Sequence, residues 1–191
     1  MKLAIYSGAL ALPLIAMALL GQVRREYQFL GRLSVATASL VWLLYFAHVS
    51  LTCWSALLGL WPVPMPPWLA LACGGLVFIA GVILCAAGVT AFGSLQQMSG
   101  TMTVRLFADG IYRWSRNPQN VGLGLALFGV ALMGRSGLAL LMSVFFCVVF
   151  RIYLPIEESY LRRIFGEEYE RYSTHTSRYF GPPRVSPSER E

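Results

Sequence analysis

The sequence predicts an all-α, polytopic integral membrane bundle of about five transmembrane helices, followed by an amphipathic helix on the cytosolic face. Three observations carry this. Of 191 residues, 57% are apolar and 13% charged, where a soluble domain is about half apolar and about a quarter charged. The charges are clustered, which leaves apolar runs long enough to cross a bilayer as helices. Basic residues fall between or after those runs, as loops and tails on the cytosolic side require.

The elements follow in order. The first apolar segment is 3–20; Pro13 and the Arg24-Arg25 pair suit a retained span with a cytosolic stop better than a cleaved signal peptide. The second runs 35–60 and closes at Trp61. Pro62-Val63-Pro64-Met65-Pro66-Pro67 is a stiff, uncharged turn that cannot continue a helix. The third segment is 68–92, and a polar stretch, 93–117, then interrupts the pattern. Two shorter segments, 118–133 and 138–154, are joined by the tight turn Gly134-Arg135-Ser136-Gly137 and must be antiparallel neighbours. Both are short for a hydrocarbon core of about 30 Å. After Pro155 the pattern becomes amphipathic: Ile156, Tyr160, Leu161, Ile164, Phe165, Tyr169 and Tyr172 recur near helical spacing. Glu158–Arg162 and Glu167–Arg171 are spaced for i,i+4 ion pairs on that helix. The expected organisation is one membrane domain, 1–180, with three spans in 1–92 and a ligand-binding half in 93–180. Residues 181–191 are an expected disordered tail.

Orientation follows from the arginines. Arg24, Arg25 and Arg32 lie in the first loop, Arg105, Arg113 and Arg116 in the third, and seven more from Arg151 to Arg190. Only Lys2 and Arg135 fall opposite. Five spans then put the N-terminus outside and the C-terminus in the cytosol.

The net charge of +6 forms no basic stripe with interleaved stacking aromatics, so nucleic-acid binding is not expected. Cys53, Cys73, Cys85 and Cys147 stand singly in apolar runs without metal-ligand spacing, so no metal is expected. His48 reads as a neutral side chain hydrogen-bonded to a neighbouring helix. With two histidines, a Ser-His-Asp set has little to draw on, and no Walker A or dinucleotide fingerprint occurs.

Chemistry concentrates where the cytosolic ends of the last two spans meet. Asn117-Pro118 is an N-cap followed by the favoured first helical residue. The same helix N-terminus, beside Arg113 and Arg116, also suits a carboxylate. Gly122, Gly124 and Gly129 permit close approach by a helix or a ligand. Glu157 and Glu158 point about 100° apart, so that one can face a cavity while the other meets solvent or Arg162.

The run Gly110-Ile111-Tyr112-Arg113-Trp114-Ser115-Arg116-Asn117-Pro118-Gln119-Asn120-Val121-Gly122 resembles the G-x-Y-x-x-x-R-[HN]-P-x-Y-x-G motif of the integral membrane methyltransferases. That superfamily includes the isoprenylcysteine carboxyl methyltransferases and the phosphatidylethanolamine N-methyltransferases. A second block, from Glu157-Glu158 through Phe165-Gly166-Glu167-Glu168-Tyr169 to Tyr172, resembles its E-E-x-x-L-x-x-x-F-G-x-E-Y-x-x-Y motif. The likeness covers roughly 96–180; the first three spans share only hydropathy.

The resemblance implies an S-adenosylmethionine-dependent methyltransferase acting on a lipophilic acceptor, isoprenylcysteine-like or phospholipid-like. It implies cofactor contacts from Gln97, from Val104, Arg105, Leu106 and Phe107, and from Tyr112, Arg116, Asn117, Pro118, Asn120 and Glu157. Arg151 falls where the family keeps basic residues near the acceptor. Asn117 stands in place of the His of the isoprenylcysteine enzymes, which turns the reading towards the phospholipid-like branch. Asn120 replaces the motif Tyr and removes an aromatic wall. The competing readings are an NADPH-dependent reductase of the sterol-reductase type, a non-catalytic membrane interaction protein and a small transporter.

Overall fold

The computed structural model describes residues 2–92, 99–101 and 105–184. Within them run α1 (Lys2–Phe29), α2 (Val35–Leu57), α3 (Pro67–Phe92), a 3-10 turn (Gly110–Arg113), α4 (Pro118–Met133), α5 (Gly137–Phe165) and α6 (Glu167–His175). No strand occurs among the described residues. Helices α1, α2, α3 and α5 are long and apolar enough to cross a membrane, and α4 is a shorter apolar helix. The chain is an integral membrane helical bundle.

Two spans outrun their apolar segments. Arg24 and Arg25 do not end α1, which continues to Phe29 because Glu26 turns inward. The Glu26 carboxylate accepts from Gln22 Nε2 at 2.9 Å, Ser34 N at 2.7 Å and Thr37 Oγ1 at 2.6 Å. It thereby ties the end of α1 to the start of α2, whose N-cap is Ser34. Pro155 does not interrupt α5, which runs through it to Phe165. Proline at 155 leaves the Arg151 carbonyl without its i+4 donor, and Arg151 is exposed. The amphipathic segment is therefore two helices and not one. Gly166, at φ +50°, separates α5 from α6, a backbone conformation that side chains with a Cβ rarely adopt.

Packing between α3 and α4 is backbone to backbone. Helix α3 buries Ala70, Gly74, Gly81 and Gly88 and leaves most of its large side chains outward. A Cβ on Gly122 would lie 2.3 Å from Cys85 N, and one on Gly129 would lie 2.5 Å from Phe78 N. Small residues at such spacings are how membrane helices approach closely. At Gly122 and Gly129, then, the need is for a helix neighbour. This shelter also explains how α4, about 24 Å long at 1.5 Å per residue, sits in the bundle.

The helix ends sort into two groups. At one end Tyr6 stacks on Trp61, Ser136 Oγ donates to the Leu60 carbonyl at 2.7 Å, and Val63 N bonds the Arg135 carbonyl. At the other, Tyr160 Oη donates to Gly31 O at 2.8 Å, Leu33 N bonds Gly100 O, and Arg163 donates to the Gln28 and Tyr27 carbonyls. Val23, Tyr27, Leu33, Ala38 and Tyr160 form the apolar core beneath this second end, which carries the candidate site.

Candidate active site

Two cavities meet at this end of the bundle. The polar one, about 80 Å³, is lined by Arg105, Leu106, Phe107, Tyr112, Arg116, Asn117, Gln119, Glu157, Glu158, Tyr169 and Tyr172, with Tyr27, Gly100, Tyr160 and Leu161. The second, about 260 Å³, runs between α1, α2, α4 and α5, with Cys85 and Val89 of α3, and is walled chiefly by apolar side chains. Gln119 and Glu157 line both.

The wall of the polar cavity is built from local geometry. Gly110 opens the 3-10 turn at φ +58°, and the turn drops Tyr112 into the interior. Tyr112 Oη lies 2.9 Å from Gln119 Oε1 and 3.2 Å from Gly88 O. Tyr172, from α6, donates to the Tyr112 carbonyl at 2.9 Å. Burial pushes the Tyr112, Tyr169 and Tyr172 hydroxyls above the usual phenol range, so they stay protonated donors at neutral pH.

Asn117 occupies the N-cap position of α4 with Pro118 after it, but its side chain makes no cap hydrogen bond. Instead Nδ2 donates to the Arg178 carbonyl at 3.2 Å, and the backbone N–H bonds Ser115 Oγ. The adjacent glutamates divide their roles. Glu158 is buried and accepts from Arg178 Nε at 2.9 Å and Nη2 at 2.7 Å, with Arg116 Nη2 at 3.0 Å. Its hydrogen bonds raise the Arg178 guanidinium further above its ordinary range. The expected Glu158–Arg162 pair does not form, because Glu158 faces inward to these arginines while Arg162 reaches Glu170 at 2.5 Å, and no ion pair joins Glu167 to Arg171 among the described residues. Glu157 is the one that faces both cavities.

The sequence-derived candidates separate accordingly. Arg105, Leu106, Phe107, Tyr112, Arg116, Asn117 and Glu157 line the polar cavity. Asn120 lines the apolar one, where its Oδ1 accepts from Tyr45 Oη of α2 at 3.1 Å. Pro118 is fully buried and starts the helix without lining either cavity. Arg151 is exposed, lines neither cavity and lies 3.4 Å from Tyr179 Oη. Gln97 and Val104 lie outside the described residues. His48 is buried against Phe145 and Phe146 beside the apolar cavity, and its Nε2 has no partner among the described residues. No cluster that could hold a metal occurs among the described residues.

Sequence reasoning passed over Gln119, Tyr27, Tyr169 and Tyr172. Gln119 and the two α6 tyrosines stand within the quoted motifs, so a signal existed. Tyr27 had none, since α1 is legible only as an apolar run.

Residues 69–168 match the family described as phospholipid methyltransferase. The match begins inside α3, ahead of the two motif blocks, and so takes in the glycine face on which α4 packs. No curated protein and no solved structure matches the chain.

Proposed function

Since the chain belongs to the phospholipid methyltransferase family and is a membrane methyltransferase, we propose that it uses S-adenosylmethionine to methylate a lipid. The observation that carries this is the junction: a polar cavity and an apolar cavity meet at Gln119 and Glu157. A water-soluble donor and a lipophilic acceptor need that pairing of compartments.

The residues present fit the cofactor. Arg116 keeps a buried Nε with no partner among the described residues, a donor suited to a carboxylate. Glu157 offers a carboxylate to a cation or to hydroxyls, and Phe107, Tyr112 and Tyr169 supply ring surfaces. The polar cavity is small beside the roughly 300–1,000 Å³ of ordinary ligand pockets, so a nucleoside-sized ligand would extend from it into the junction. When bound, the cofactor supplies a methyl group already activated by its sulfonium. The protein's own work is then to orient two reactants and exclude water. Gln97 and Val104 complete the proposed contact set from the segment before the 3-10 turn.

The acceptor reads as phospholipid-like. Asn117 stands where the isoprenylcysteine enzymes carry His, and the matching family is described as phospholipid methyltransferase. Arginines concentrate at the end that carries the site, so we place that end in the cytosol and the N-terminus outside. Residues 1–180 then act as one domain, with the site built mainly from 93–180.

The test is transfer of labelled methyl from S-adenosylmethionine into a total lipid extract by the purified protein, with the product identified by mass spectrometry. A labelled lipid is expected. Binding of NADPH with no response to S-adenosylmethionine would overturn the assignment.

A further inference from the structure

Residues 176–181 follow α6 and cross back over the stretch that leads into α4. Two backbone hydrogen bonds bracket that stretch: Arg116 N to Ser177 O at 2.9 Å, and Gly181 N to Trp114 O at 2.9 Å. Phe180 stacks on Trp114, and Tyr179 meets Phe150 edge to face. Arg178 does most. Its guanidinium grips both oxygens of Glu158, which also pairs with Arg116, and its carbonyl accepts the Asn117 amide. These contacts converge on Arg116 and Asn117, two side chains that line the polar cavity, although Arg178 itself does not line it.

We propose that 176–181 is a strap that sets the wall of the polar cavity, with Arg178 as its positioning residue. This rests on the reading of that cavity as the cofactor site. An unstrapped Asn117 would turn its side chain to the free N–H groups of α4, as N-cap asparagines ordinarily do. Held by the Arg178 carbonyl, it keeps its amide donor engaged and leaves Oδ1 to a ligand. Glu158, gripped from both sides, fixes the Arg116 guanidinium in the same way. The strap thus acts on the ligand only through these two residues.

The experiment uses the full-length protein and titrates S-adenosylmethionine into wild type, Arg178→Met, Arg178→Lys and Phe180→Ala. Arg178→Met is expected to weaken affinity about tenfold, the scale of a lost charge-assisted hydrogen bond, with a smaller fall in thermal midpoint without cofactor than Glu158→Ala gives, because Arg116 still pairs with Glu158. Arg178→Lys recovers part of the loss, because an ammonium cannot grip two oxygens at once. Wild-type affinity in Arg178→Met overturns the strap and leaves the cofactor site standing. A parallel fall in stability with no recovery by lysine reduces Arg178 to a structural residue and also overturns it. Should Arg178→Met fail to fold, Phe180→Ala decides: weakened binding supports the strap, and wild-type binding removes it. Absence of binding in the wild type overturns the site reading and the strap together.

Discussion

The Glu158 carboxylate accepts from two arginines and is buried, while the carboxylate one residue before it faces two cavities. Adjacent glutamates should therefore fail in different ways. Glu158→Ala strands Arg116, whose side chain is only 11% exposed, and breaking a buried ion pair from one side costs about 3 kcal/mol or more. Its thermal unfolding, followed by a thiol-reactive dye on the half-buried Cys53 and Cys85, should move down markedly. Glu157→Gln should stay within about 1 kcal/mol of wild type yet lose the heat of S-adenosylmethionine binding. Wild-type binding heat in Glu157→Gln would remove that residue from the site. An unchanged midpoint in Glu158→Ala would show that the arginines find other partners.

Among elements, the α3–α4 contact gives a sharp contrast within one helix pair. A methyl group on Gly122 would meet Cys85 N at 2.3 Å and Gly81 O at 2.6 Å, whereas one on Gly75 would meet nothing within 4 Å. Gly122→Ala should push the helices apart and lower stability by about 2 kcal/mol, the scale of overpacking. Gly75→Ala should be neutral or stabilise slightly, since alanine is the better helix former. Equal midpoints for the two variants would show that the helices separate freely. The same contact shows what sequence could and could not disclose. Apolar runs located every long helix, because lipid demands continuous hydrophobicity. The resemblance to the family's two motifs named Tyr112, Asn117 and Glu157, which line one cavity, because the 3-10 turn and the root of the α5 extension are local structures. Hydropathy could not say which glycines face a helix and which face lipid. Neither could it show that Pro155 sits within a helix whereas Gly166 ends one, a difference that depends on what surrounds each backbone. Nor does any local rule connect Glu158 to Arg178, twenty residues away on a segment that returns over the site.

Across the whole molecule, the two compartments draw on the chain differently, although α4 and α5 contribute to both. Most of the polar cavity comes from residues 105–119 and 157–172, while α1 and α2 supply one side of the apolar cavity through Leu12, Ala16, Val41, Trp42 and Tyr45. This arrangement predicts that acceptor and cofactor handling can be separated by mutation. Val149 lines the apolar cavity from α5 and lies outside the polar cavity. Val149→Trp should fill acceptor space while leaving Arg116, Asn117 and Glu157 undisturbed. Misplacing a reactant lowers rates steeply, so methyl transfer to lipid should fall about tenfold or more, with S-adenosylmethionine affinity held at the wild-type value. Equal losses in transfer and in cofactor affinity would mean that the two spaces act as one pocket and that the division at Gln119 and Glu157 carries no function. Retained transfer would place the acceptor elsewhere, on the lipid-facing side of the junction, with its chains outside the bundle.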